Sequence, residues 1–170
     1  FNRDNVQLIN LKEFPIHGIT SNSIEADKTY EIDTLILATG FDAMTGALTS
    51  IDIIGRGGAK LKDQWESGAK SYLGLGIANF PNLFTVTGPG SPSVLSNMMP
   101  SIEQHVNWIT DCIDWMETND KKVIESSKTA EDEWMDLVNE RAAMTLFTDT
   151  HSWNNGSNID TKAKAFLPFI

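Results

Sequence analysis

The stretch TLILATGFD, at residues 34–42, limits the possible folds of this chain more than any other feature. Four apolar positions in succession, from Leu35 to Ala38, are typical of a strand buried on both faces, as strands of parallel sheets are. Gly40 follows closely, and a glycine lets the backbone turn sharply or approach another group. Ligands of open α/β sheets bind beyond the carboxyl ends of such strands. We therefore predict an α/β fold with a buried strand here that leads toward a ligand site, with an ordinary strand-to-loop turn as the alternative.

Residues 80–107, FPNLFTVTGPGSPSVLSNMMPSIEQHVN, show a similar organisation. Residues 82–87 predict a second short buried strand, and the GPGSP sequence after it excludes regular structure because proline lacks an N–H group. Ser101 and Gln104 have the spacing of a capping box, which predicts a helix that begins at Ser101. A helix N-terminus after a glycine-rich loop presents free N–H groups to an anionic or electron-rich ligand. The loop matches neither the Walker nor the G-x-G-x-x-G pattern, so a purely structural loop is the open alternative.

The remaining sequence predicts β segments first and helices in the C-terminal half. Short strands are expected at residues 6–11, 16–20 and 23–26, with turns between them. Residues 41–79 are glycine-rich and predict irregular structure, in which Trp65 packs into the core. A second helix is expected from an N-cap at Thr129 to Leu146. The first helix has apolar positions at helical spacing, which predict one buried face: Ile102, His105, Val106, Ile109, Cys112, Ile113 and Met116.

Composition restricts the classes of partner. The 170 residues carry a net charge of −10 and no basic stripe, which argues against binding to nucleic acid or to an anionic membrane. No apolar run approaches the roughly 20 residues that span a bilayer. The single cysteine excludes an internal disulfide, and no Cys/His spacing is typical of a zinc site, so no metal is expected. These properties predict a cytoplasmic protein with one domain-sized core.

Five motifs, ATGFD, FPNLFTVTGPGSP, LSNM, SIEQHVNW and HSWNNG, occur in an order that resembles the C-terminal part of the flavin-dependent Baeyer–Villiger monooxygenases. The resemblance covers nearly the whole chain, and its first half also suits the related flavin-containing monooxygenases and N-hydroxylases. It implies an α/β fragment of a flavoprotein with two Rossmann-like dinucleotide-binding domains. It also implies FAD and NADP (NADPH) as cofactors, a ketone and molecular oxygen as substrates, and insertion of oxygen beside the carbonyl to give an ester or lactone.

The resemblance divides the chain into three parts. Residues 1–38 would end the NADPH-binding domain, residues 39–147 would form the C-terminal part of the FAD-binding domain with a helical segment, and residues 148–170 would be a mobile NADP-covering loop with a truncated tail. The family's two G-x-G-x-x-G elements, its F-x-G-x-x-x-H-x-x-x-W-P signature and its arginine beside the flavin do not occur in this chain. We therefore expect a missing N-terminal part of the same enzyme to supply them. The chain would then hold no catalytic residue and would be inactive alone.

The same resemblance assigns the cofactor contacts. Asn97 and Met98 match a segment whose backbone contacts FAD, and Trp153 matches a tryptophan that binds NADP through its indole N–H. Gly40 and Asp42 would lie where the chain returns from the NADPH-binding to the FAD-binding domain. Close packing would explain the glycine, and Asp42 would either cap backbone amides or lie on the surface. As structural alternatives, Met98 would fill a gap in the core and Trp153 would anchor its loop.

The resemblance also assigns the substrate pocket to Ser93, Val94 and Leu95, which match a loop that lines the ketone pocket. These residues are small to medium in size and mostly apolar, which is compatible with a hydrophobic ketone. His151 is interpreted as an ordinary loop residue and His105 as a hydrogen-bonded core histidine. Two other functions stay open. One is an N- or S-oxygenating flavin monooxygenase, against which the Trp153 loop and the GPGSPSVLSNM segment argue. The other is a non-catalytic α/β module that packs against a partner chain.

Overall fold

The computed structural model describes residues 1–92, 97–150, 152–156 and 163–169. The chain divides into two compact units, Phe1–Gly40 and Phe41–Ile170. The boundary predicted between residues 38 and 39 lies close to this division. The assignment of the two units to nucleotide-binding domains stays a prediction.

The first unit contains a three-stranded antiparallel sheet in the order β1-β2-β3. The strands are β1 at Gly18–Ile19, β2 at Ser23–Glu25 and β3 at Thr29–Glu31. The turn before β2 is closed by the hydroxyl of Thr20, which accepts a hydrogen bond from the Ser23 N–H at 3.0 Å. Two of the predicted strands are therefore confirmed in shortened form. The one predicted at residues 6–11 is wrong, since those residues form turns and irregular structure.

The buried strand predicted at residues 35–38 is also wrong. These residues adopt no strand, and Ile36 and Leu37 are 82% and 71% exposed. A strand of a parallel sheet needs hydrogen-bonding partners at its edges and cover on both faces. Among the residues that the structure describes, no strand pairs with this stretch. The apolar pattern is therefore present without the neighbours that would bury it.

The second unit contains the helices. Two short ones, α1 at Gly46–Thr49 and α2 at Leu61–Gln64, precede the long helices α3 at Met98–Thr118 and α4 at Lys128–Ala143. Single 3₁₀ turns lie at Arg56–Gly58, Leu146–Asp149 and Trp153–Asn155. Two further strands, β4 at Ser91–Pro92 and β5 at Pro168–Phe169, pair in parallel. In the described part of the chain no helix is long and apolar enough to cross a bilayer. The predicted order, β segments first and helices in the C-terminal half, is confirmed.

The long helices begin earlier than the sequence predicts. The N-cap of α3 is Asn97, whose side chain accepts a hydrogen bond from the Met99 N–H, so the start predicted at Ser101 is wrong. Pro100 is the third residue of this helix, where it is tolerated because the first-turn N–H groups have no partner within the helix. The N-cap of α4 is Ser127, which accepts from the Ala130 N–H, rather than Thr129.

The strand predicted at residues 82–87 is wrong for a local reason. Asn82 and Thr87 have φ values of +59° and +52°, so the backbone turns at both ends of the segment. Between them only Phe84 forms an isolated β-bridge, to Gly76. Residues with left-handed φ interrupt an extended strand, and residues other than glycine rarely adopt this conformation. The segment is a loop whose buried Thr85 donates a hydrogen bond to the Gly74 carbonyl at 2.8 Å.

Two hydrophobic clusters form the core of the second unit. Residues 61–80 supply most of the first cluster, and α4 supplies most of the second. Trp65 lies in the first with its indole N–H donating to the Lys70 carbonyl, which confirms its packing role. Leu167 joins the first cluster and Phe166 the second, so the C-terminal segment contacts both. One face of α3 is only partly buried: His105 is buried, and Val106 and Ile113 are exposed.

Candidate functional site

The glycine-rich segment Gly88–Pro92, hereafter the glycine-rich loop, is fixed to the body of the second unit by its backbone. The Gly88 N–H donates to the Gly74 carbonyl at 3.0 Å. The hydroxyl of Ser71 donates to the Pro89 carbonyl and accepts from the Gly74 N–H. All of these groups are buried. The irregular structure that the sequence predicts for this loop is confirmed for Gly88–Gly90 and wrong for Ser91–Pro92, which form β4. The Gly88 N–H and the Pro89 carbonyl are both paired.

Helix α4 and the C-terminal segment hold the next residue of the loop. The Gly90 carbonyl accepts a hydrogen bond from the indole N–H of Trp134 at 2.9 Å, and the Gly90 N–H donates to the Leu167 carbonyl at 2.5 Å. The φ of Gly90 is +78°. A Cβ at this position would lie 3.0 Å from the sulfur of Met135. Gly90 therefore supplies both the left-handed backbone and the close approach to α4.

The N-terminus of α3 lies a few residues after the glycine-rich loop. The Asn97 side chain is used for the cap, and Pro100 has no N–H group. The Met98 N–H has no partner among the described residues, and the first turn contains no acidic side chain. The positive end of a helix dipole without a nearby carboxylate favours an anionic or electron-rich ligand. The two residues predicted to contact FAD therefore lie at a helix start, as expected, although that start is at Met98. Their contact with a flavin stays a prediction.

His105 connects α3 to the residues just before the glycine-rich loop. Its Nδ1 accepts a hydrogen bond from the Thr87 N–H at 3.0 Å, and the side chain is buried. Burial lowers the pKa of His105 below its ordinary value of 6.5. The imidazole is thus neutral near physiological pH and acts as an acceptor. His105 is a hydrogen-bonded core histidine, which confirms that interpretation.

We expect His105→Asn to make the protein's stability less dependent on pH. A protonated Nδ1 cannot accept from the Thr87 N–H, and the unfolded chain binds the proton more readily because the folded pKa is lowered. The contribution of His105 is therefore complete above its ordinary pKa of 6.5 and is lost as pH falls below that value. An asparagine oxygen takes the place of Nδ1 but does not titrate. Urea unfolding between mildly acidic and neutral pH measures the difference.

His105→Ala is the matched variant without an acceptor. It leaves the half-buried Thr87 N–H unpaired and should cost about 1–3 kcal/mol at neutral pH, more than His105→Asn. Equal pH profiles for the wild type and His105→Asn would contradict the assignment.

Glu131 in the first turn of α4 has a buried carboxylate with an unexpected role. Its side chain is 1% exposed, and Oε1 accepts a hydrogen bond from the Ala78 N–H at 3.0 Å. Lys128 lies 3.7 Å from Oε2, and burial raises the pKa of the Glu131 carboxyl. Through this hydrogen bond, Glu131 holds the segment around Ala78 on α4.

The segment around Trp153 is anchored by its neighbours. The side chain of Asn155 is buried and donates to the Thr150 carbonyl at 2.8 Å. The backbone carbonyls of Asn154 and Asn155 accept from the N–H groups of Leu167 and Ala165. The Trp153 side chain is half-buried, and its indole N–H has no hydrogen-bond partner within the described ranges. Its contact with NADP stays a prediction.

Asp42 and the residues after Trp153 line one pocket of about 250 Å³. Asp42 is exposed, and its backbone carbonyl accepts from the Gly46 N–H at 3.2 Å. Thr45, next to it in the pocket wall, is buried with a hydroxyl that has no partner in the described part of the structure. Gly156, three residues after Trp153, also lines this pocket. Of the predicted cofactor residues, Asp42 lines this cavity, whereas Asn97, Met98 and Trp153 do not.

Two further predictions have different outcomes. No described atom lies within 4 Å of the position of a Cβ on Gly40, and its φ of +81° is a conformation that favours glycine. Close packing around Gly40 in the complete protein stays a prediction. The predicted pocket residues Ser93, Val94 and Leu95, together with His151, lie outside the described residues.

Several residues of this region were missed by the sequence analysis. Trp134, Ser71 and Glu131 each hold the backbone of a segment that is distant in sequence. No local motif contains these pairs. The only available signal is that Trp134 and Glu131 lie on the same predicted helix as apolar positions, which indicates burial but not the partner.

No protein-family model matches the chain. Similar proteins are nonetheless known. The chain is 43% identical over 164 residues to a cyclohexanone 1,2-monooxygenase of Acinetobacter sp, with 95% of this chain and 30% of the relative covered. It is 41% identical over 172 residues to a Baeyer–Villiger monooxygenase of Pseudooceanicola batsensis, with 100% of this chain and 31% of the relative covered. It is also 41% identical over 169 residues to the phenazine N-monooxygenase PhzNO1 of Lysobacter antibioticus, with 98% of this chain and 31% of the relative covered.

Solved structures agree with these similarities. A cyclohexanone monooxygenase from a Rhodococcus species, bound to NADP⁺, superposes with a TM-score of 0.92 at 40% identity and covers 99% of this chain and 32% of that one. The OTEMO complex with FAD and NADP superposes with a TM-score of 0.90 at 34% identity and covers 99% and 31%. The chain is thus homologous to a segment of the Baeyer–Villiger monooxygenases. It has the fold of that part of these flavoproteins and spans about a third of the length of the relatives it matches.

Proposed function

We propose that this chain is a segment of an FAD- and NADPH-dependent Baeyer–Villiger monooxygenase, which inserts one oxygen atom of O₂ beside a ketone carbonyl to give an ester or lactone. The observation that carries the proposal is the similarity along essentially the whole chain to relatives that are named for this reaction. The segment would be the C-terminal part of a cytoplasmic enzyme. The catalytic arginine and both G-x-G-x-x-G elements would lie in the rest of that enzyme.

The start of α3 fits the flavin side of this proposal. FAD, when bound, would supply the redox and oxygen chemistry, and the protein would supply binding and orientation. The helix would direct its positive end and the Met98 N–H toward the flavin, and its first turn contains no carboxylate that would oppose an electron-rich ring. Asn97 would hold this helix start in place through its cap. The glycine-rich loop would lead the chain from the body of the unit into this site.

The region of Trp153 fits the nucleotide side. Its half-buried indole N–H would donate to NADP, and the same part of the chain shares a pocket with Asp42. Gly40 would form the backbone turn that joins the NADPH-binding part, residues 1–38, to the FAD-binding part, residues 39–147. Residues 93–95 are proposed for the ketone pocket on the strength of the family resemblance.

The proposal predicts that Trp153→Phe raises the KM for NADPH about three- to tenfold in the complete enzyme, because one hydrogen bond to the nucleotide is lost while an aromatic ring is kept at this position. The assay is ketone-dependent oxidation of NADPH, with ester or lactone identified by mass spectrometry after reaction in isotopically heavy O₂. Trp115→Phe is the matched control, since Trp115 is an exposed residue of α3. An unchanged KM for NADPH in Trp153→Phe would contradict the role of Trp153. Absence of labelled product from the wild type would contradict the proposed reaction.

N-oxygenation is the second candidate, and the similarity to a phenazine N-monooxygenase favours keeping it. The sequence argument that the Trp153 loop and GPGSPSVLSNM segment disfavour this reaction loses weight, because that relative matches 98% of the chain. Parallel assays with a set of ketones and with phenazine distinguish the two reactions by product. A non-catalytic module would oxidise no NADPH with either class of substrate.

A further inference from the structure

We propose that a pocket between α3 and the start of α4, hereafter the aromatic pocket, is a binding site for a neutral molecule with one aromatic ring. Three parts of the second unit line it: residues 72–84, Trp108 of α3 and residues 124–130. None of the five predicted cofactor residues lines it, so the aromatic pocket is separate from the predicted cofactor contacts. The inference rests on the geometry of this pocket and does not depend on the proposed function.

The size of the aromatic pocket limits what it can hold. Its volume is about 260 Å³. An apolar cavity of roughly 150 Å³ binds benzene, and the sites of drug-sized ligands begin at about 300 Å³. The aromatic pocket lies between these two sizes. It therefore fits a molecule with one ring and a short substituent.

The lining from residues 72–84 favours an organic molecule over ordered water. Leu75, Ile77 and Phe80 are buried, with exposed fractions of 5%, 1% and 3%. The backbone here is largely paired within the segment: the Tyr72 N–H donates to the Gly76 carbonyl at 2.7 Å, and the Leu75 carbonyl accepts from the Thr85 N–H. A water molecule in a cavity needs two to four polar partners, and a wall of this kind offers few.

Aromatic side chains give the pocket its preference for a ring. Trp108 and Phe84 are arranged edge to face, with ring centroids 6.3 Å apart and an angle of 68° between the ring planes. Tyr72 and Phe80 add two further rings to the lining. Aromatic rings attract one another in edge-to-face and offset arrangements beyond the effect of buried area. A flat aromatic ring should therefore bind more tightly here than a saturated ring of the same size.

The charges around the pocket exclude an ionic ligand. Glu125 is the one charged residue among the described residues that line it. Both oxygens of this carboxylate are occupied, because Oε2 accepts from the Arg56 guanidinium at 2.5 Å and Oε1 accepts from the Asn79 N–H at 2.9 Å. The pocket thus offers no cation to an anionic ligand and no unpaired carboxylate to a cationic one. An unpaired charge is costly to bury, so the ligand must be neutral.

Titration of the 170-residue chain with toluene, followed by amide NMR, tests the site. The signals of Gly76, Ala130 and the Trp108 indole should shift with a Kd on the order of 0.1–1 mM. Benzoate and benzylamine carry the same ring with a charge and should bind at least about tenfold more weakly, and methylcyclohexane about three- to tenfold more weakly. The proposal is overturned if toluene shifts none of these signals, or if the other three probes bind as tightly as toluene.

Two variants with matched controls assign the binding to this pocket. Ala130→Leu adds a side chain to the pocket lining and should weaken toluene binding at least about tenfold, whereas Ala143→Leu on the exposed end of α4 should leave it unchanged. Trp108→Ala removes one aromatic wall at a side chain that is 43% exposed and should weaken binding about three- to tenfold. Trp115→Ala, at a 56% exposed residue of the same helix, is its control. Wild-type affinity in both pocket variants would overturn the assignment.

Crystals of the complete enzyme soaked with bromobenzene test whether the pocket is open there as well. Bromobenzene has one neutral ring, and its bromine is located by anomalous scattering. We expect bromine density between Trp108 and residues 72–84. A pocket that is filled by another part of the enzyme, or that is empty after soaking, would contradict the proposal. This result does not depend on whether the enzyme oxidises a ketone, so it is separate from the test of the proposed function.

Discussion

Replacing Gly74 with alanine should lower the free energy of unfolding by about 2–5 kcal/mol. Gly74 has a φ of +73°, where a side chain adds backbone strain of about 1–2 kcal/mol. Its Cβ would also lie 2.3 Å from the Cβ of Ser91 and 3.1 Å from the Gly88 carbonyl oxygen. These neighbours belong to the glycine-rich loop and β4, whose backbone is held on several sides. The collision can therefore be relieved only by moving the loop.

Gly57→Ala is the control that separates strain from collision. Gly57 has a similar φ of +62°, and no described atom lies within 4 Å of the position of its Cβ. This variant should lose only the strain term, about 1–2 kcal/mol. Urea unfolding followed by tryptophan fluorescence measures both variants. Losses of equal size would show that the loop moves freely away from Gly74, contrary to the contacts described above.

Local features of the sequence predicted the helical half of the chain well. The periodicity of α3 and α4 is visible over many residues, and short polar pairs such as Ser21–Asn22 specify turns. The first residues of α3 and α4 were predicted less well, because each helix has two nearby residues that are suitable N-caps. Asn97 and Ser127 are used, although Ser101 and Thr129 also have suitable side chains. Such a choice depends on where the preceding chain is held.

The strands could not be predicted to the same extent, because a strand depends on partners elsewhere in the chain. Residues 35–38 have the apolar composition of a buried strand and lie exposed without a ladder partner among the described residues. The strand expected at residues 82–87 is interrupted by left-handed φ values at Asn82 and Thr87, which their residue types do not require. An apolar sequence indicates that a segment favours burial, but it does not show which other residues would bury it.

The same distinction between local signals and long-range contacts applies to the candidate site. Sequence motifs pointed to Asn97, Met98 and Trp153, and the structure places all three at helix starts or anchored turns. The groups that hold the surrounding backbone were invisible, because the contacts are long-range: Glu131 to Ala78 spans 53 residues. A single sequence records no such pairings. The side chains closest to the proposed chemistry were therefore easier to find than those that position them.

Phe166→Ala should lower the free energy of unfolding by about 3–5 kcal/mol. Phe166 is 6% exposed and belongs to the second hydrophobic cluster with Met135 and Val138. Its ring also contacts that of Phe147, with centroids 6.0 Å apart. Removing the ring leaves a cavity between α4 and the C-terminal segment, and the cost of such a cavity adds to the lost transfer energy.

Phe41→Ala makes the same chemical change at a side chain that is 90% exposed, so its cost should stay within about 0.5 kcal/mol. Comparing the two variants by urea unfolding decides whether the C-terminal segment is part of the folded unit. If Phe166→Ala costs no more than Phe41→Ala, the segment contributes nothing to stability and the tail is loosely attached. A large difference would mean that the carbonyl of Leu167, which receives the Gly90 N–H, is held by the core of the protein. The glycine-rich loop would then depend on the C-terminal segment as well as on α4.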